Sequence, residues 1–218
     1  SYIISGSWNK HTDTQDRLIN PTILDGEGSH RIMQIQQGCN VSLLQLEFIN
    51  GYDGDRGAGL YSKGNVTIAY CRFAGNKLVE TNFADFSNGG AIYNEGGSLN
   101  IHNSVFLLNR SSQTGGAIYN TGNLSVNICE FSLNSSRHKG GAVYSTVTGN
   151  VKVHRTRFNK NYLDFATGQF SNPYTNGGAI CSENRLEVVN CILDKNRSTS
   201  GGAVWASNKL KLINNTFY

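Results

Sequence analysis

The sequence predicts an all-β fold, a parallel β-helix of about seven to eight coils, on three observations. One phrase recurs along the chain: Gly89-Gly90-Ala91-Ile92-Tyr93 returns as Gly115-Gly116-Ala117-Ile118-Tyr119, Gly140-Gly141-Ala142-Val143-Tyr144, Gly177-Gly178-Ala179-Ile180-Cys181 and Gly201-Gly202-Ala203-Val204-Trp205. A looser copy is Gly57-Ala58-Gly59-Leu60-Tyr61. A second phrase, Phe-x-x-Asn, follows each copy 16 to 18 residues on, as Phe73 to Asn76, Phe106 to Asn109, Phe131 to Asn134 and Phe158 to Asn161, then Leu193 to Asn196, ending at Phe217. Between the phrases lie short segments with alternating apolar residues and no helical period. A fixed period of about 25 residues marks a solenoid, and a rung of that size with several short strands is one coil whose strands pair above and below at ~4.8 Å.

Each element follows from its residues. The pairs Val66/Ile68, Leu99/Ile101, Leu124/Val126, Val151/Val153, Leu186/Val188 and Leu210/Leu212, with the earlier Val41/Leu43, have the period of two expected of strands buried on one face. Asn76, Asn109, Asn134, Asn161 and Asn196 share one turn position, where stacked amides hydrogen-bond along the axis and tolerate a tight bend. The Gly-Gly pair marks a corner that needs positive φ or close backbone approach. It is no phosphate loop, since neither a lysine nor a helix follows it.

The 218 residues are expected to form a single elongated domain, with a coil or cap in 1–38 and repeats over 39–218. Two insertions break the repeat, at 77–88 and 162–176. Charged residues are only 16% of the chain, and 19 basic against 15 acidic gives a net +4, too mild and dispersed to argue for nucleic acid. No apolar run is long enough to span a membrane. The five cysteines do not form a framework. Cys71, Cys129 and Cys191 fall in one column on alternate rungs, about 9–10 Å apart by strand spacing, too far for a bridge. They read as small buried hydrophobes, and only a Cys181–Cys191 bridge across the coil is left open. No Cys/His pattern suggests a metal, and no cofactor is expected.

The paired motifs Gly-Gly-Ala-[Ile/Val] and Phe-x-x-Asn resemble the repeats of polymorphic outer membrane proteins and related adhesin-like right-handed β-helix proteins. The stretch Thr22-Ile23-Leu24-Asp25-Gly26 with Ser29-His30-Arg31-Ile32 looks like the first coil of such proteins. The resemblance covers about residues 20–218. It implies a right-handed coil and a secreted or cell-surface protein acting in adhesion, as envelope structure, or in self-association. Large relatives carry a membrane-anchoring region, so the expectation is a fragment of such a protein or a small free-standing member.

Two candidate contact surfaces follow. The fifth residue of the Gly-Gly phrase should point outward, giving a stripe of Tyr61, Tyr93, Tyr119, Tyr144 and Trp205, interrupted by Cys181. Such a stripe suits stacking on a sugar chain or another protein. Its competitor is a set of rings packed beneath neighbouring loops. The second surface is the pair of insertions, which leave from one corner and carry Phe83, Phe86, Tyr162, Phe165, Phe170 and Tyr174. Glycosylation sequons in strand-edge positions make Asn40, Asn65, Asn123 and Asn214 the candidate sugar acceptors; Asn109, Asn134 and Asn196 are spoken for by the ladder.

A carbohydrate-active β-helix enzyme, or a glycan-binding module, is the second reading. Such a site needs clustered carboxylates. Asp85 and Asp164 have two coils between them, Asp53-Gly54-Asp55 reads as a polar turn, and His102 and His154 share a column without a carboxylate partner. The expectation is a non-catalytic secreted or cell-surface β-helix acting in adhesion or as a structural building block that forms fibres head to tail. Its partners would be copies of itself or a host or cell-surface glycan or protein, with no nucleic acid and no membrane insertion.

Overall fold

The computed structural model describes residues 1–6, 8–9, 14–15, 21–79, 87–164 and 175–218, of which 8, 9, 14 and 15 are described in backbone only. Among these there is no helix. The chain winds as a right-handed parallel β-helix with three long parallel sheets. Sheet one stacks Tyr2–Ser5, Asn40–Leu44, Asn65–Ala69, Ser98–His102, Asn123–Asn127, Asn150–His154, Leu186–Val189 and Leu210–Ile213. Sheet two runs from Thr22–Asp25 through Leu46–Ile49, Arg72–Ala74, Val105–Leu107, Glu130–Ser132, Arg157–Asn159 and Ile192–Asp194 to Thr216–Phe217. Sheet three holds Met33–Ile35, Leu60–Ser62 and the five Gly-Gly phrases' strands from Ile92–Asn94 to Val204–Ala206. Residues 1–38 therefore supply a strand to each of the three long sheets, and a small antiparallel pair joins Trp8–Asn9 to Thr14–Gln15.

Register follows the repeat residue for residue. Leu99 pairs with Leu124 and Ile101 with Val126, and all four side chains are buried. Phe48, Phe73, Phe106, Phe131 and Phe158 are fully buried and stacked face to face, with ring centroids 4.5–5.0 Å apart and planes within 9°. Leu193 continues the column, so the site accepts any large apolar group.

The asparagine ladder is also where the motif puts it. Asn76, Asn109, Asn134 and Asn161 have no exposed surface. From Asn109 onward each side-chain oxygen accepts both the backbone N–H and the amide of the asparagine one coil earlier, as Asn134 Oδ1 does from Asn109 at 3.0 and 2.9 Å, while Asn76 Oδ1 accepts the Gly51 N–H at 2.9 Å. Each side-chain nitrogen also donates to a phenylalanine carbonyl, as Asn134 does to Phe106 at 3.0 Å. Otherwise orphaned backbone groups in each coil are satisfied this way.

The two glycines of the repeated phrase serve different needs. Gly115 has φ +64°, and a Cβ there would lie 2.3 Å from the Ile118 carbonyl oxygen. Gly116 has no such φ, but a Cβ would meet the Gly141 oxygen of the next coil at 2.1 Å. The first glycine makes the bend, and the second lets two coils touch.

Two further corners were not foreshadowed by glycine. Between sheets one and two a single left-handed residue turns the chain: Gln45, Tyr70, Asn103, Ile128, Arg155, Asn190 and Asn214. After sheet two the same is done by Asn50, Gly75, Leu108, Leu133, Lys160 and Lys195. The five cysteines are all free, so the Cys181–Cys191 alternative is excluded. Their column has a polar use: the N–H of Cys71 donates to Ser104 Oγ, that of Cys129 to Thr156 Oγ1, and that of Cys191 to Asn215 Oδ1.

Candidate functional site

The tyrosines of sheet three stand outward in one column, paired Tyr61 to Tyr93 to Tyr119 to Tyr144. Tyr93 and Tyr119 stack with centroids 4.5 Å apart, flanked by contacts of 5.7 Å to Tyr61 and 5.3 Å to Tyr144. The column is not an open stripe. Tyr61, Tyr93 and Tyr144 retain only 8%, 8% and 7% of their surface. Tyr119 and Trp205 are half-buried, and Cys181 is fully buried.

What covers the rings is charge. Arg31 lies 5.2 Å and Lys63 5.7 Å from the Tyr61 ring, Arg56 5.4 Å from Tyr93, and Lys139 5.7 Å from Tyr144. These cations are held by carboxylates: Arg31 by Asp53 at 3.0 Å, Arg56 by Asp55 at 3.2 Å and Glu95 at 3.4 Å, and Lys139 by Glu183 at 2.6 Å. The Tyr61 hydroxyl donates to Glu95. Cations over ring faces use the negative quadrupole of the π system, and the expectation of bare aromatic rings is corrected on that ground. Burial raises the pKa of Tyr93, Tyr119 and Tyr144, so these hydroxyls stay protonated at physiological pH.

Of the six aromatic insertion residues, Phe83, Phe86, Phe165, Phe170 and Tyr174 lie outside the described residues. Tyr162 is half-buried, where Tyr162–Leu163 pairs with Ser135–Ser136. The other insertion starts in the same way, with Lys77–Leu78 on Tyr52–Asp53. Asp85 is likewise undescribed, and Asp164 is engaged with Arg110 at 2.7 Å.

Asn40, Asn65, Asn123 and Asn214 are exposed, whereas Asn109 and Asn134 are fully buried and Asn196 partly so. Asp53 Oδ1 accepts the N–H of Asp55 at 2.8 Å and of Arg56 at 3.3 Å, as a polar turn does. One expectation is overturned at the histidines. His102, Asn127 and His154 do share a column, but His154 faces a carboxylate, Glu187 on the following coil, at 3.7 Å. Among the described residues no group of three or more His, Cys, Asp or Glu is placed to hold a metal ion.

A shallow cleft of about 540 Å³ lies near the first coils, lined by Asp25, Glu27, Asn50, Tyr52 and Lys77 over Gly51 and Gly75. Asp25 is committed within it, accepting from the Glu27 N–H at 2.8 Å and from Asn50 at 3.2 Å.

A second buried ladder carries no obvious motif. Asn94 Nδ2 donates to Asn120 Oδ1 at 2.8 Å, and Asn120 Nδ2 to Ser145 Oγ at 3.0 Å, with Ser62 and Ser182 continuing the column. The residue after each repeated tyrosine holds its only trace in the sequence: Ser62, Asn94, Asn120, Ser145, Ser182.

These features define a class: a stacked β-helix repeat protein whose described inward columns are given over to packing and polar ladders. Residues 103–121 match the family model of the Chlamydia polymorphic membrane protein repeat. The matched stretch holds the strand Val105–Leu107, ladder Asn109 and the phrase Gly115 to Tyr119, one unit of the pattern that recurs along the chain. No curated protein and no solved structure gives a significant match.

Proposed function

We propose that this chain is a non-catalytic, surface-displayed β-helix that acts in adhesion. The single observation that carries the reading is the match to the polymorphic membrane protein repeat at 103–121, in a chain whose own phrase recurs from Gly57 to Trp205. The family is associated with the outer membrane and the cell surface. A rigid rod with regularly spaced lateral faces suits presentation of contacts away from a surface. Its partners would be a host or cell-surface glycan or protein, or a second copy of the chain.

The test is a paired assay on the purified chain. Incubation with a panel of polysaccharides should release no reducing or unsaturated ends, while beads coated with the chain attach to cultured cells. Product release that is lost in Asp164→Asn would instead establish the enzyme reading.

A further inference from the structure

The outer face of sheet one changes character along the rod. Its first five strands, Tyr2–Ser5, Asn40–Leu44, Asn65–Ala69, Ser98–His102 and Asn123–Asn127, contain no Lys, Arg, Asp or Glu. The next three bring Lys152, Arg185, Lys209 and Lys211 to the same face, with Arg155 at its corner and Glu187 as the single carboxylate. Five cations less one carboxylate leave +4, equal to the net charge of the whole 218-residue chain. The remainder of the molecule therefore sums to zero.

Glu187 is already shared. It meets Lys211 at 3.2 Å, His154 at 3.7 Å and Arg185 at 3.9 Å, and Lys211 first, then His154 and Lys152, draw its pKa below the usual carboxylate range. Lys152, Arg155 and Lys209 are exposed, and their side chains make no hydrogen bond or ion pair among the described residues. In a chain with so few charges, this is unneutralised positive potential on a flat wall.

We propose that this face binds a linear acidic polysaccharide lying along the rod axis. Three successive rungs, ~4.8 Å apart, carry Lys152 with Arg155, then Arg185 beside Glu187, then Lys209 with Lys211, a spacing comparable to the length of one sugar ring, so the two outer rungs hold the net positive charge and the middle one a balanced pair. Duplex DNA carries one charge per about 1.7 Å of axis, a density this face does not match. Amides of Asn150, Asn184 and Asn208 border the cations; Asn150 donates to Asn123 at 3.2 Å and Asn208 to Asn184 at 3.3 Å, and their remaining polar positions suit sugar hydroxyls. It goes beyond the adhesive reading by naming a partner class, and it stands or falls apart from cell attachment.

The test compares two charge-matched pairs in the 218-residue chain: Lys152→Glu with Lys209→Glu on the face, and Lys77→Glu with Lys160→Glu elsewhere. Labelled heparin is the probe, with neutral dextran, duplex DNA and phosphatidylcholine–phosphatidylserine vesicles alongside. At physiological salt the face pair should weaken heparin binding by at least about tenfold and lower its salt slope by about two, one for each lysine removed from the face. The matched pair should cost less than about threefold, since every cation of the face is still present. Equal losses in both pairs would overturn the proposal, as would absent heparin binding in the unaltered chain. Tighter face-dependent binding of DNA or of vesicles than of heparin would overturn it too.

Discussion

Asn109 and Asn134, one coil apart, are joined through a single oxygen: Asn134 Oδ1 accepts the Asn109 backbone N–H at 3.0 Å and its side-chain amide at 2.9 Å. Both residues are fully buried. Asn134→Ala strips that acceptor and also leaves the Phe106 carbonyl without its donor. Each buried orphan costs about 1–3 kcal/mol, so the variant should lose about 3 kcal/mol or more in urea unfolding. Asn40→Ala, at an exposed edge, should stay within about 0.5 kcal/mol. Similar small losses at both positions would show that the ladder is decorative.

Ile128 is a β-branched residue at φ +54° with 46% of its surface exposed. It has the cost of the left-handed region and little burial to offset it. Ile128→Asn should therefore stabilise the chain by about 1 kcal/mol, seen as a higher urea midpoint at unchanged slope. Gly115→Ala, where a side chain meets the Ile118 oxygen, should destabilise instead. A drop in stability in Ile128→Asn would contradict this reading of the corner.

The thiols fix a stability limit in alkali. Burial raises Cys129 to about 11 and Cys181 to about 12, and also raises Cys191. In the unfolded chain these thiols ionise from about pH 8.5 upward, before they do so in the folded one. The folded state then holds more protons, so stability falls as pH rises. The urea midpoint should be level through neutral pH and decline from about pH 9. The buried tyrosines Tyr93, Tyr119 and Tyr144 steepen the decline at higher pH. A midpoint that is level to pH 11 would contradict the burial of the thiols.

The phenylalanine column can be graded. Phe106→Ala should cost about 3–5 kcal/mol, because the rings above and below cannot close the gap. Phe158→Leu should cost less than about 1.5 kcal/mol, since Leu193 already occupies the next position. Equal costs would mean that ring stacking, rather than volume, sets the column.

Most of the architecture was legible because each core position repeats. Leu99 over Leu124 and Phe106 over Phe131 are adjacent in space for the same reason that they are one period apart in sequence. The Gly-Gly corner was legible too, since only glycine tolerates both the bend at Gly115 and the close approach at Gly116. The corners at Ile128 and Leu108 were not, because stacking of the flanking strands overrides local preference and leaves no residue signature. The tyrosine column stands where the repeated phrase puts it, and of the open stripe and the covered rings that the sequence leaves as alternatives, the structure shows covered rings. Arg31, Arg56, Lys63 and Lys139 reach the rings from outside the repeated phrase, and no period announces them. The basic face was hidden for a related reason, its lysines and arginines being dispersed along some sixty residues from Lys152 to Lys211.

The central claim is that this rod attaches to cells through its folded lateral surface. Fluorescent beads coated with the folded chain, applied to cultured epithelial cells, test it most directly. The account predicts saturable attachment that free folded chain competes away and that heat-unfolded chain does not support. Attachment equal for folded and unfolded chain, or none by the folded chain, would contradict it.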